Sequence, residues 1–171
     1  MLRSFLSLFL VALLVYSGAA QPALVPPSIS DLRKQAAHVL TLPAHCHAFA
    51  EANELQLRLR NVVIDSNLLW FHLQLHNRSH IAFYPAYCQF MARDRSSSKR
   101  KAVQSVEITP FRQPILGVVR YHHQYDLVIP FIPFALIKPQ QLIIEMGETR
   151  SRRVLSLRVP AKDILHASYL Q

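Results

Sequence analysis

The sequence predicts an all-β fold: an antiparallel β-sandwich (immunoglobulin-like or similar) with a short N-terminal helix and a C-terminal helical tail. Three observations carry this reading. Apolar and polar residues alternate in Leu55–Arg60, Leu69–His76, Ala102–Thr109 and Arg153–Val159, and period two puts successive side chains on opposite faces of a strand. A helix would send Leu69 and Phe71 to widely different faces, whereas a strand aligns Leu69, Phe71, Leu73 and Leu75. Turn-forming residues separate the runs at short, regular spacing, as in sandwiches and barrels.

Taken in order, Met1–Ala20 has the parts of a secretory signal: Arg3, the apolar run Phe5–Tyr16, and the small residues Ser17-Gly18-Ala19-Ala20. The run is shorter than the ~20 residues a bilayer-spanning helix needs, so cleavage near Ala19 or Ala20 is expected, with residues 21–53 a leader and 54–171 the β-domain. Ser30–His38 reads as a short helix capped by Ser30 and closed by Leu42-Pro43. Asp65-Ser66-Asn67 breaks the first strand from the second. Asn77-Arg78-Ser79 reads as a turn into a return strand, Ile81–Arg93, with Pro85 at a bulge or edge. Asp94–Lys99 is a polar loop, Pro110 stops the next strand, and Leu127–Phe131 is a further apolar run. Leu142–Met146 pairs with Arg153–Val159 through the Gly147–Arg150 turn, and Pro160 opens the helical tail.

Chemistry-bearing patterns are sparse. His72 and His76 share one strand face but stand about 13 Å apart at strand rise, too far to ligate one metal, and are read as solvent-facing. His45-Cys46-His47, with His122-His123, is the best metal candidate; adjacent residues of an extended segment point opposite ways, so exposed loop histidines are the preferred reading. No serine sits in a nucleophile elbow, and three glycines leave no phosphate-cradling loop. The expectation is a non-enzymatic protein with no catalytic, cofactor or metal site. Cys46 and Cys88 are the two cysteines; in an oxidising compartment they form either a disulfide or two separate thiols.

The formal charge of +9, from 19 basic and 10 acidic residues, favours anionic surroundings such as nucleic acid, lipopolysaccharide, anionic lipid or an acidic partner. Basic residues cluster in Arg93–Lys101 and Arg150–Arg153, expected at strand ends where they can form one cationic rim. Lys99, Arg100 and Lys101 are the first candidates for contact with a partner or polyanion, with Arg150, Arg152 and Arg153 second. Trp70, on the polar face of its strand, is a candidate apolar contact, unless it packs beneath a loop or the terminal helix.

From Leu59 to Pro110 the residues become more specific. Asn77-Arg78-Ser79, Phe90-Met91-Ala92-Arg93-Asp94, and Lys99-Arg100-Lys101-Ala102-Val103-Gln104 with Glu107 and Pro110 resemble the carboxy-terminal domain of the TraN family of Bacteroidetes conjugative-transposon proteins. Gln141–Glu148 looks like that family's final hairpin, and the likeness runs over roughly Leu55–Val159. The resemblance implies a periplasmic, outer-membrane-associated β-domain of a conjugative, type IV secretion-like apparatus. Its partners would be other conjugation subunits, in particular the channel-forming core subunit, with nucleic acid not favoured. The alternative is a secreted polyanion-binding β-module for DNA or lipopolysaccharide.

Overall fold

The computed structural model describes residues 27–45, 48–95, 105–137, 139–149 and 151–170. A helix, α1 (Ile29–Thr41), precedes β1 (Phe49–Ala52), β2 (Leu55–Asp65), β3 (Leu68–Asn77), β4 (Tyr87–Asp94), β5 (Ser105–Glu107), β6 (Gln124–Phe131), β7 (Gln140–Gly147) and β8 (Val154–Pro160). A one-turn helix, α2 (Ala161–Leu165), and a two-residue strand, β9 (Ser168–Tyr169), follow. The strands make two sheets, one ordered β1-β2-β3-β6 and the other β5-β4-β7-β8, antiparallel except that β9 runs parallel to β2. The β-sandwich expected from alternation is therefore the fold.

Parity explains the core. Leu55, Leu57 and Leu59 of β2 and Leu69, Phe71, Leu73 and Leu75 of β3 meet Phe90, Leu142, Ile144, Met146, Leu155, Leu157 and Val159 of the second sheet between the layers. Phe131 lies among Phe71, Phe90 and Phe134, with ring centroids 5.0, 4.8 and 5.8 Å away, within the range of favourable edge-on contacts. A bulge between Leu59 and Asn61 shifts the parity of β2, so Val62 continues the inner face while Val63 turns outward. Asn61 then faces the chain leaving α1, where its Oδ1 accepts the His45 backbone N–H at 2.9 Å.

The outer face of the first sheet is covered as well. Leu32 and Val39 of α1 pack on Val63, Leu68 and Trp70. The helix starts two residues earlier than expected: Ser28, not Ser30, is the cap, its Oγ accepting the Asp31 N–H at 3.2 Å. It ends at Thr41, and Leu42-Pro43 closes it as expected, with Leu42 the extended C-cap. Among the described residues no helix is long and apolar enough to cross a membrane.

Three expectations change. β1, assigned to the leader, is a strand, because Asn53 and Glu54 (φ 52° and 58°) close a two-residue hairpin between Ala52 and Leu55. Asn77–Ser79 does turn, with the Ser79 N–H and Oγ both donating to Asn77 Oδ1, but it opens no hairpin. β3 pairs instead with β6, and the chain crosses to the other sheet, forming only a Phe83–Val119 bridge before β4 begins at Tyr87. The tail is helical for a single turn and then pairs with Val63 and Ile64 of β2.

Glu54 occupies the left-handed region, which costs an L-residue with a side chain roughly 1–2 kcal/mol. Glu54→Gly converts the loop to the Asn-Gly pair that this turn prefers. It should raise stability by about 1 kcal/mol, read as a higher urea midpoint at unchanged slope.

Candidate functional site

β4, β7 and β8 bring a cationic surface together on the outer face of the second sheet. Met91 pairs with Ile143 and Ile143 with Arg158; Arg93 pairs with Gln141 on one side and Ser105 on the other. Arg93 and Arg158 therefore stand on the same face of neighbouring rows, with Ile143 buried between the strands that carry them. A cleft of about 450 Å³ is lined by Arg93, Asp94, Arg95, Ser105, Gln141, Ile143, Ser156 and Arg158. Arg158 also lines a second cleft, of about 620 Å³, around the β8 edge, with His45, Phe49, Lys162, Asp163, His166 and Ser168. It joins the two.

Among the described residues the ion pairs are His72–Asp126, Arg78–Glu51 and Arg153–Glu148. None of Arg93, Arg95, Arg158 and Lys162 thus has a described carboxylate within 4.0 Å. The two acidic side chains in the clefts, Asp94 and Asp163, leave the cations in excess. Long basic side chains can hold their stems against apolar surface while the charge stays in water, which accounts for a buried Ile143 on an outward face.

Among the described residues the two basic clusters do not meet in a single rim. Register places Arg93 beside Pro160 across β7 and Tyr87 beside Val154, so the Arg93–Arg95 end and the β7–β8 turn carrying Arg152 and Arg153 lie at opposite ends of the sheet. At about 3.4 Å per residue the length of β4 separates them by more than 20 Å. Lys99, Arg100, Lys101 and Arg150 lie outside the described residues. Arg152 is exposed, at φ 58°.

Arg153 is not available to a partner. Its Nε and Nη2 each reach a Glu148 carboxylate oxygen at 2.9 Å, and Nη2 donates to the Ala82 carbonyl at 2.5 Å. The guanidinium lies 5.3 Å from the Phe83 ring centroid. Glu148 also accepts the Tyr84 N–H and the Ser151 hydroxyl. This network fastens the Ser79–Tyr84 crossover to the β7–β8 turn.

Trp70 is likewise withdrawn as a contact surface: it is 1% exposed, beneath α1. Cys88 is a buried thiol facing the core, its pKa pushed up to about 12 by burial; the anticipated choice between a Cys46–Cys88 bridge and two separate thiols involves a residue outside the described ones. Cys46 and His47 lie outside the described residues. His122 stands beside His80, ring centroids 5.2 Å apart, and among the described residues no three His, Cys, Asp or Glu side chains converge.

His72, expected in solvent, is buried, standing between Asn61 of β2 and Val128 of β6. Its Nε2 lies 2.8 Å from Asp126 Oδ1 across the β3–β6 pair, and the Gln74 amide donates to the same oxygen at 3.1 Å. Partial burial pushes the Asp126 carboxyl up. The hydrogen bonds from His72, Gln74 and Gln124 and the His72 charge outweigh that and hold it below its ordinary 3.8. A depressed folded value means the stability contributed is complete above the unfolded value and is lost as pH falls through the folded one. Asp126→Asn should therefore show a shallower loss of stability with acid below pH 3.8, measured by circular dichroism in urea at successive pH. Equal slopes in both proteins would remove the coupling.

Sequence reasoning missed Arg158, Lys162 and the two clefts that Arg158 joins. A signal existed: alternation in Arg153–Val159 puts Ser156 and Arg158 on the outward face, and the expected hairpin with Leu142–Met146 places Arg158 in that sheet. What remained invisible was that β4 lies on the other side of β7.

None of the curated proteins and none of the solved structures matches the chain. Residues 43–169, well over half of the sequence, match a family described as Domain of unknown function (DUF4138). The span takes in both sheets from β1 to β9, and the chain belongs to the DUF4138 family.

Proposed function

We propose that this protein is a non-enzymatic structural subunit of a conjugative transposon transfer apparatus. In this reading it is exported to the periplasm and held near the outer membrane by other subunits, the channel-forming core subunit foremost. The resemblance of Leu59–Pro110 to the TraN carboxy-terminal domain supports the assignment. The observation that carries an assembly role is an exposed apolar group at the crossover. Ile81, Tyr84, Val118 and Tyr121 flank the Phe83–Val119 bridge and are each more than half exposed. Ile81 and Tyr84 also line a groove of about 510 Å³ with Glu148, Thr149 and Arg153. Grouped apolar side chains with a polar rim are a mark of protein interfaces, and the Arg153–Glu148 network holds this group on a fixed backbone.

The test is affinity purification from cross-linked envelopes. Recovery of other conjugation subunits, lost when Tyr84 and Val118 are both changed to aspartate, supports the reading. Recovery of none overturns it.

The second reading, a secreted polyanion-binding β-module, is favoured by the cation excess around Arg158. Salt separates the two: affinity for DNA or lipopolysaccharide should fall steeply as salt rises, whereas assembly through apolar side chains should persist.

A further inference from the structure

The cations around Arg158 are interspersed with carboxylates and uncharged polar side chains, and that mixture discriminates among anionic partners. We propose that the two clefts joined at Arg158 form one groove that docks an extended acidic segment of a partner protein. The inference rests on the assembly reading for the existence of that partner. Arg93, Arg95 and Arg158 present forked guanidinium donors, which match carboxylates in paired hydrogen bonds. Gln141 lies between Arg93 and Arg158 across β7, and Ser105 on β5 and Ser156 on β8 flank them, as uncharged donors and acceptors suited to the amides of a peptide backbone.

Each cleft also contains one carboxylate, Asp94 in the first and Asp163 in the second. A nucleic-acid strand carries a phosphate at every step and would set negative charge against both. A peptide can place carboxylates opposite the cations and neutral side chains opposite Asp94 and Asp163. Of the aromatic side chains on which bases stack in single-strand binders, the described lining of the first cleft has none, and Phe49, His45 and His166 are confined to the second. From β5 to β8 the groove crosses three interstrand steps of about 4.8 Å and then continues past the β8 edge. About eight extended residues would fill it at roughly 3.3 Å each.

The test uses the purified chain and a fluorescein-labelled ten-residue peptide of alternating glutamate and serine, with a glutamine–serine peptide as control. Labelled single-stranded and duplex oligonucleotides and phosphatidylglycerol vesicles are measured alongside. Saturable binding of the acidic peptide is expected, weakened about tenfold or more by Arg158→Ala, partly retained in Arg158→Lys, and unchanged by Arg152→Ala at the opposite end of the sheet. Peptide binding indifferent to Arg158→Ala overturns the groove. So does tighter, Arg158-dependent binding of an oligonucleotide or of the vesicles.

Envelope cross-linking keeps the two readings apart. Subunits recovered equally with the parent and with Arg158→Ala overturn the groove while the assembly reading stands. Arg158-dependent peptide binding with no subunit recovered from the parent upholds the groove and removes the assembly reading.

Discussion

Arg153→Ala is expected to destabilise the fold by about 3–5 kcal/mol, the range for removing one partner of a buried ion pair. The carboxylate left behind is the reason. The Glu148 side chain is 4% exposed and that of Arg153 14%, so water cannot readily replace the guanidinium. The variant also strips a donor from the Ala82 carbonyl and the cation from the Phe83 ring. Pairing the change with Glu148→Leu should recover part of the loss, since removing both charges ends the burial of an unpaired one. Recovery stays incomplete because Glu148 also accepts the Tyr84 N–H, which would be left without a partner. Urea unfolding of the parent, the single variant and the double variant measures all three. A loss within ~1 kcal/mol for Arg153→Ala, the range of surface ion pairs, would mean that the network is loose in solution and that Arg153 is available to a partner, as its place in a basic cluster first suggests.

The second large effect is expected at Trp70. Its indole is the contact surface through which α1 holds to the first sheet, with Leu32 and Val39 above it and Val63 and Leu68 beside it. Trp70→Ala opens a cavity there and should cost about 3–5 kcal/mol, as large-to-small changes of buried aromatics do. The helix should come away before the sandwich does, because the inter-sheet core contains none of its residues. Trypsin cleavage at Arg33 and Lys34 should thus accelerate in the variant under conditions where β-sheet circular dichroism is retained. The chain's one tryptophan supplies a second readout in the parent: its emission should stay blue-shifted until α1 detaches. If Trp70→Ala left stability unchanged and abolished only assembly, Trp70 would be a surface contact after all, against its burial here.

Trp70 and its strand neighbour His72 show where sequence reading stops. Trp70 and His72 alternate with Leu69, Phe71, Leu73 and Leu75, and alternation correctly assigns them to the face away from the inter-sheet core. It cannot say whether that face meets water or another element. α1 covers Trp70, so a position that parity marks as polar is among the most buried. β1 escaped notice for a related reason: four residues, Phe49-Ala50-Glu51-Ala52, are too few to establish a period. The Leu59/Asn61 bulge inverts parity in mid-strand, which no periodic template anticipates.

The candidate site was half legible. Arg93 and Arg95 belong to a basic cluster plain in the sequence, and Arg158 lies on the correct face of a strand that alternation identifies. Yet the cluster at the β7–β8 turn, closer to Arg158 along the chain, lies at the far end of the sheet, and one of its arginines is consumed by Glu148. Charge density along a chain says nothing about which strands become neighbours.

What the residues determine by themselves is the β-sandwich class, the strands β2, β3, β7 and β8, and the side of β3, β8 and the first half of β2 that enters the core, because the pleat makes side-chain direction a local property of period two. Strand order, the covering of one sheet by α1, and the meeting of Arg93, Arg95, Arg158 and Lys162 were decided only by the tertiary structure. These depend on contacts between segments far apart in the chain, and on which of several mutually compatible apolar faces bury one another.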